Sequence, residues 1–317
     1  MMKKIILFLF TMTGILISCK TKHIESKISR NEKGVNYIPY YLKVYVADSL
    51  HLIGKYKESN HILDSLFKKF EPLNQESYGE YITYLKNKIL LNDLKKIDFV
   101  LKRAIQDFGF KVEFCLKDTL INKVMLKTKF SENDLNGFYD TYVKSLNLEY
   151  RYAIEKMLEN DQRVRKALPR DIEDWKKVDT ENAENIKLLI VKYGYPSIQK
   201  IGRYDFSEKS ASVHTLFLHA SKEASEDYIL DLMLGSVKKG ECGPYEFASV
   251  YDKYLRSSGK YGDRVLYGEL RNRKKSIDEV VVNPKKIDSI RKSIGLEHLK
   301  YKDWKYNKLT GKELKDL

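Results

Sequence analysis

The sequence predicts a mainly α-helical protein, with tetratricopeptide-like helical hairpins in the first half and a mostly helical domain with little β-structure in the second. Three observations carry this. Apolar residues recur at helical rather than alternating spacing through most of the 317 residues. Gly54, Pro72, Pro169, Gly194 and Pro196 stand at the ends of those stripes, where helices stop. One stripe also returns 38 residues later, the mark of stacked helical pairs. With 43% hydrophobic residues, 23 Tyr, and only 16 Gly and 6 Pro, the chain is neither disordered nor collagenous.

Residues 1–19 read as an address. Lys3 and Lys4 precede an apolar run from Ile5 to Ile17, and Ser18 stands before Cys19, the order of a secretory signal peptide. The run falls short of the about 20 apolar residues that a membrane-spanning helix needs. Leu16-Ile17-Ser18-Cys19 resembles the bacterial lipobox, whose Cys becomes the lipidated first residue of the mature protein. The expected organisation is a signal peptide over 1–18, a lipidated linker over 19–36, a repeat-like helical domain over 37–146, a second helical domain over 147–302 and a tail over 303–317. Acyl chains such as palmitate on Cys19 would tether the protein to a membrane of the bacterial cell envelope. No acidic run follows Cys19, which favours the face toward the periplasm. Loss of Lys3 and Lys4 takes the formal charge from +14 to +12, and in that compartment the basicity suits anionic surfaces rather than nucleic acid. Cys115 and Cys242 remain, a lone pair too far apart in sequence to define a disulfide framework.

In the first half, Leu42, Tyr45, Val46, Leu50 and Leu52 form one helical stripe, broken at Gly54. Ile62, Leu63, Leu66, Phe67 and Phe70 form the next, closed by Pro72. Ile62, Leu63, Phe67 and Phe70 map onto Val100, Leu101, Ile105 and Phe108. Ala47, Leu50, Gly54 and Tyr56 look like a tetratricopeptide repeat of longer than usual period, and a weaker pair runs from Thr119 to Leu146. Such hairpins either present a concave surface to a protein or peptide partner or serve as a packed spacer, and the sequence favours the spacer. No phosphate loop, zinc-ligand spacing or zincin pattern appears, so neither a cofactor nor a metal is expected.

In the second half, Glu155 to Lys166 is helical and puts Asp161 and Arg165 on one face at i, i+4. Asp179 ahead of Asn182 reads as the N-terminal cap of a helix with the face Ile186, Leu189, Ile190 and Tyr193. Ser212 to Ala224 reads as one strongly apolar helix carrying His214 and His219, with Glu223 one turn beyond His219. Helices over Asp227–Val237 and Phe247–Leu255 follow. Val265 to Glu269 reads as a short strand or extended loop.

Asp161-Gln162 with Arg165, Asp179 with Asn182, Tyr193-Gly194-Tyr195-Pro196, Ile201-Gly202, Leu218-His219-Ala220, Asp252 before a basic residue and Tyr267-Gly268 stand in an order that resembles the bacterial domain of unknown function 6624 family. The likeness covers about residues 150–302 and continues through Pro284, Ile287-Asp288, Arg291 and Gly295-Leu296. It implies an uncharacterised envelope domain with no established activity. Lys253 stands where the family has Arg, and Glu269-Leu270 where it has Thr-Gln.

His219 is the leading candidate for chemistry, because an imidazole serves as acid, base or ligand near neutral pH. Asp252, Asp161 and Arg165 are its candidate partners, and Gln162, Asn182, Tyr267 and Glu269 are candidate binding residues. The competing readings are a hydrogen-bonded core histidine and a structural Asp161–Arg165 ion pair. Without a complete catalytic set, the sequence favours a lipid-anchored protein-interaction or scaffold lipoprotein. The alternative is a hydrolase-like or ligand-binding enzyme with a polar site around His219 and Asp252.

Overall fold

Helices begin and end largely where the punctuation places them. A computed structural model describes residues 34–74, 79–169, 171–204, 206 and 211–312. Cys19 and the rest of the address segment lie outside the described residues. Gly54, at a φ of 79°, follows α1 (Ile38–Leu52) and lets α2 (Tyr56–Phe67) pack back onto it. The helices α3 (Glu80–Leu90) and α4 (Ile97–Gln106) continue the layer. The two stripes related by the 38-residue spacing face one core: Leu63 on α2 shares a buried cluster with Val100, Leu101 and Ile105 on α4 and with Leu85. The core closes with α5 (Val112–Lys117), α6 (Thr119–Met125) and α7 (Glu132–Ser145), the last two capped by Asp118 and by a Ser131/Asp134 capping box.

The second half begins with α8 (Leu148–Lys166), packed along α9 (Ile172–Tyr193), which ends at Gly194. Then come α10 (Ile198–Ile201), α11 (Val213–His219), α12 (Lys222–Ala224), a π-helical turn over Ser225–Ile229, α13 (Leu230–Lys239) and α14 (Pro244–Ser257). The C-terminal part is α15 (Ile277–Val280), a 3-10 turn at Pro284–Lys286, α16 (Ile287–Ser293) and α17 (Tyr301–Thr310). The protein is therefore mainly α, and the described residues hold no strand: Val265 to Glu269 makes only an isolated parallel bridge, Val265 to Val281.

The described residues from Tyr37 onward form one compact unit. Tyr37, Tyr40, Tyr41 and Val44 of α1 pack in the same apolar cluster as Tyr150 and Ile154 of α8, Phe217 of α11 and Phe247 of α14. The Tyr41 hydroxyl donates to the carbonyls of Val237 (2.9 Å) and Cys242 (3.1 Å), so the first helix is stitched to the second half. At the other end, the stretch read as a tail is helical as far as Thr310: α17 packs on α1, where Lys305 pairs with Asp48 at 2.7 Å and the Tyr301 hydroxyl bonds the same carboxylate. Cys115 and Cys242 are free thiols buried in two different core clusters. No helix among the described residues is long and apolar enough to cross a membrane.

Candidate functional site

Four helices bring one polar cluster together. Asp161 and Arg165 project from α8, one turn apart as their spacing requires, and Arg165 Nε donates to Asp161 Oδ1 at 3.0 Å. His219 ends α11, which packs on α8, α9 and α14. Its Nδ1 lies 2.7 Å from Asp161 Oδ1. Gln162 Nε2 donates to Asp161 Oδ2 at 2.8 Å, and Arg165 Nη2 donates to Asp179 Oδ1 on α9 at 2.6 Å. The guanidinium also lies over the Trp175 ring, 5.2 Å from its centroid, a geometry that holds its plane fixed.

The proton on His219 can be placed by elimination. Arg165 Nε is also 2.9 Å from His219 Nδ1, but a bare Nδ1 lone pair facing Asp161 at 2.7 Å would be repulsive. Nδ1 therefore carries the hydrogen and donates to Asp161, and Arg165 donates to the carboxylate. In the neutral ring the lone pair is then on Nε2, which has no protein hydrogen bond among the described residues, on a side chain 30% exposed. Asp161 itself is fully buried. Burial is the largest single influence on its carboxyl and pushes upward, yet His219, Gln162 and Arg165 together hold it below the ordinary carboxylate range.

Asp179 moves the other way: burial pushes its carboxyl up, repulsion from Asp161 adds to this, and Arg165 only partly offsets it. Lys253 on α14 faces the same group. Burial lowers its ammonium, Arg165 repels it, and Asp179 pulls back. The cluster thus gathers an oriented imidazole, two carboxylates and two cations at the surface edge of a buried base. His214, a turn earlier on α11, is different: burial, with repulsion from His219 second, lowers it to about 4, and its Nε2 bonds Ser249 Oγ at 2.6 Å. It belongs to the packing.

Asp252 does not join His219. It is fully buried on α14, and its two oxygens accept four backbone N–H groups of one loop: Leu266 (2.9 Å), Tyr267 (2.8 Å), Glu269 (2.8 Å) and Leu270 (3.4 Å). Every acceptor direction is used in folding that loop, so the expected His219–Asp252 pairing is corrected: Asp161 is the carboxylate beside the imidazole. Burial pushes Asp252 up to about 6 against the pull of these N–H groups.

Among the candidate binding residues, only Gln162 reaches the cluster. Asn182 is buried and donates to the Met157 carbonyl at 3.4 Å. Tyr267 packs edge-on to Phe247 and Tyr251, and its carbonyl accepts from Arg291. Glu269 is held in a buried ion-pair network, with Arg291 at 2.9 Å and Lys302 at 2.7 Å.

Two further expectations change. Asp179 is not a cap: Asp171 is, accepting from the Glu173 and Asp174 N–H groups at 2.9 and 3.0 Å, so Asp179 sits two turns inside α9. Asp171 followed by Glu173 and Asp174 is the signal that marks the true start. Glu223 does not share a face with His219, because α11 stops at His219, Ala220 is extended, and Ser221 caps a new turn by accepting from the Ala224 N–H. No group of three or more His, Cys, Asp or Glu among the described residues is placed to hold a metal. No protein-family model, curated protein or solved structure matches the chain.

Proposed function

We propose that this is a lipid-anchored bacterial cell-envelope protein whose second half carries a hydrolase-like acid–base site for an anionic substrate, mounted on a tetratricopeptide-like first half. The observation that carries the site is the Asp161–His219 pair: a buried carboxylate fixes the tautomer at Nδ1 and leaves Nε2 facing outward as a base. In this reading Nε2 takes a proton from a water that attacks the phosphorus of a phosphate ester, the P–O bond to the leaving group breaks, and the imidazolium gives up the proton to the departing oxygen or to solvent. Arg165, whose Nη1 has no protein partner among the described residues, and Lys253 hold the substrate anion. Gln162 and Asp179 position the pair and the guanidinium. Five of the residues that carry the resemblance to the domain of unknown function 6624 family, Asp161, Gln162, Arg165, Asp179 and His219, meet in one cluster, and this supports reading them as one site.

The test is turnover by the full chain in detergent, with bis(p-nitrophenyl) phosphate and p-nitrophenyl phosphate as probes. We expect activity that His219→Ala lowers by at least about 100-fold. Activity that survives His219→Ala, or no turnover of either ester, argues against the reading. The anchor is tested separately: Cys19→Ala abolishes lipid labelling and releases the protein to the soluble fraction, whereas tight retention would mean an uncleaved N-terminal anchor. The interaction reading rests on another feature, a cationic groove in the first half.

A further inference from the structure

The helices α2, α3 and α4 leave a groove of about 440 Å³ between them, within the about 300–1,000 Å³ typical of ligand sites. Its apolar surface comes from Phe67, Tyr81, Tyr84, Phe99 and Val100, and Phe99 stands 59% exposed at the edge. Five cations line it against two anions. Lys88 is committed to Asp93 at 2.7 Å, and Arg103 to Asp107 at 2.9 Å and to Glu71. Arg103 is stacked over the Tyr81 and Phe99 rings at 5.9 Å and over Phe108 at 5.4 Å, so it forms a fixed cationic wall between aromatic faces. Lys68, Lys95 and Lys96 line the groove, are exposed and form no salt bridge among the described residues. Lys96 is held at a φ of 58°, the left-handed region that non-glycine residues adopt at a cost.

Both acidic residues in the groove are already engaged. Asp64 accepts from the Tyr84 hydroxyl at 2.6 Å and from Asn60 at 3.1 Å, and Asp93 holds Lys88. The lining contains no Asn, Gln, Ser or Thr, so a sugar polymer would find few partners for its hydroxyls. The surface instead combines an aromatic slot with exposed ammonium groups around it.

We infer that this groove docks an acidic peptide segment of a partner protein, with a large apolar or aromatic side chain against Phe99 and flanking carboxylates on Lys68, Lys95 and Lys96. Charge complementarity selects the occupant: five cations line the groove against two anions, both already engaged, and among the described residues Lys68, Lys95 and Lys96 form no salt bridge. The basic residues Lys20, Lys22, Lys27 and Arg30 after the lipidation site have the wrong sign to fill it. The inference is independent of the Asp161–His219 site, so either can fail alone.

Fluorescence anisotropy of the full chain in detergent with a labelled peptide of sequence Glu-Glu-Trp-Glu-Glu tests it. Saturable binding is expected, weaker by at least about tenfold after Lys95→Glu with Lys96→Glu, and weaker by several-fold after Phe99→Ala, with circular dichroism unchanged. Raising salt from about 50 mM to about 0.5 M should weaken it further. The proposal is overturned if Lys-Lys-Trp-Lys-Lys binds as well, if the charge reversals leave the affinity unchanged, or if the acidic peptide does not bind. A polyuronate oligosaccharide that binds more tightly than the peptide and ignores Phe99→Ala would overturn it in favour of an anionic polysaccharide.

Discussion

Asp161 and Asp252 are both fully buried carboxylates on long helices of the second half, each followed within four residues by a cation, yet they do different work. Asp252 is satisfied by four backbone N–H groups from a single loop. Asp161 is satisfied by three side chains, one of them an imidazole that opens to solvent. A carboxylate bound by backbone is part of the fold and has no lone pair to offer a reaction. One bound by side chains at the surface edge can pass its influence to a substrate through the group it orients. The contrast is sharpest under truncation. Asp252→Ala leaves four buried N–H groups without acceptors and should cost about 3–5 kcal/mol in urea unfolding, the largest effect expected of any substitution named here. It would also loosen the turn at Gly268, whose φ of 77° and closeness to Leu299 leave no room for a Cβ. A loss below about 1 kcal/mol would erase the distinction.

The pH dependence of stability separates the pair by sign. Asp252 has a folded pKa of about 6 against an ordinary 3.8, so the folded state keeps the proton longer. Its contribution is complete below 3.8 and is lost as pH rises through about 6; wild type should lose up to about 3 kcal/mol relative to Asp252→Asn across that window and then level off. Asp161 is lowered, so its contribution is present above 3.8 and disappears as pH falls through its folded value. Wild type minus Asp161→Asn should therefore decline only in acid. Chemical denaturation from about pH 3 to about pH 7 reads both curves, and slopes of the same sign would break the comparison.

The sequence speaks clearly where the signal is local. Asp161 and Arg165 meet because i, i+4 on a helix leaves them little choice, and the stripes at Leu63 and Val100–Leu101 face one core as their period requires. His219 is conspicuous as a polar residue among Val213, Leu216 and Phe217. What stays hidden is what depends on backbone or on distant helices. The role of Asp252 rests on N–H groups 14 to 18 residues further on, which every residue but Pro possesses and no pattern marks. Asp179 and Lys253 come to the site only through the packing of α9 and α14. α17 escapes notice because Tyr301 and Trp304 are its main apolar residues among lysines, so its stripe is too thin to read.

Asp161→Asn is the intermediate case. The amide keeps one acceptor but loses the charge that faces Arg165 and His219, so a cost of about 1–2 kcal/mol is expected, less than truncation of Asp252. Nitrogen-detected NMR of the His219 ring gives the sharper reading. Wild type should carry its hydrogen on Nδ1, and the variant should populate the Nε2 tautomer. If the tautomer is unchanged, Asp161 does not set it, and the difference between the two carboxylates loses its chemical half.

The smallest expected change in stability is the most telling, because it separates chemistry from packing. His219 makes one bond to Asp161 and a further contact with Arg165, lies at the end of α11 and is 30% exposed. Replacing it with Gln preserves length and a donor, so His219→Gln should cost about 1 kcal/mol or less. Gln has no group that takes a proton near neutral pH, so the same variant should lose turnover of the phosphate esters as fully as His219→Ala does. A stable, inactive His219→Gln protein fits only a histidine kept for its chemistry. An unstable one would place His219 with His214 as a packed core histidine, and the Asp161 side of the comparison would become structural as well.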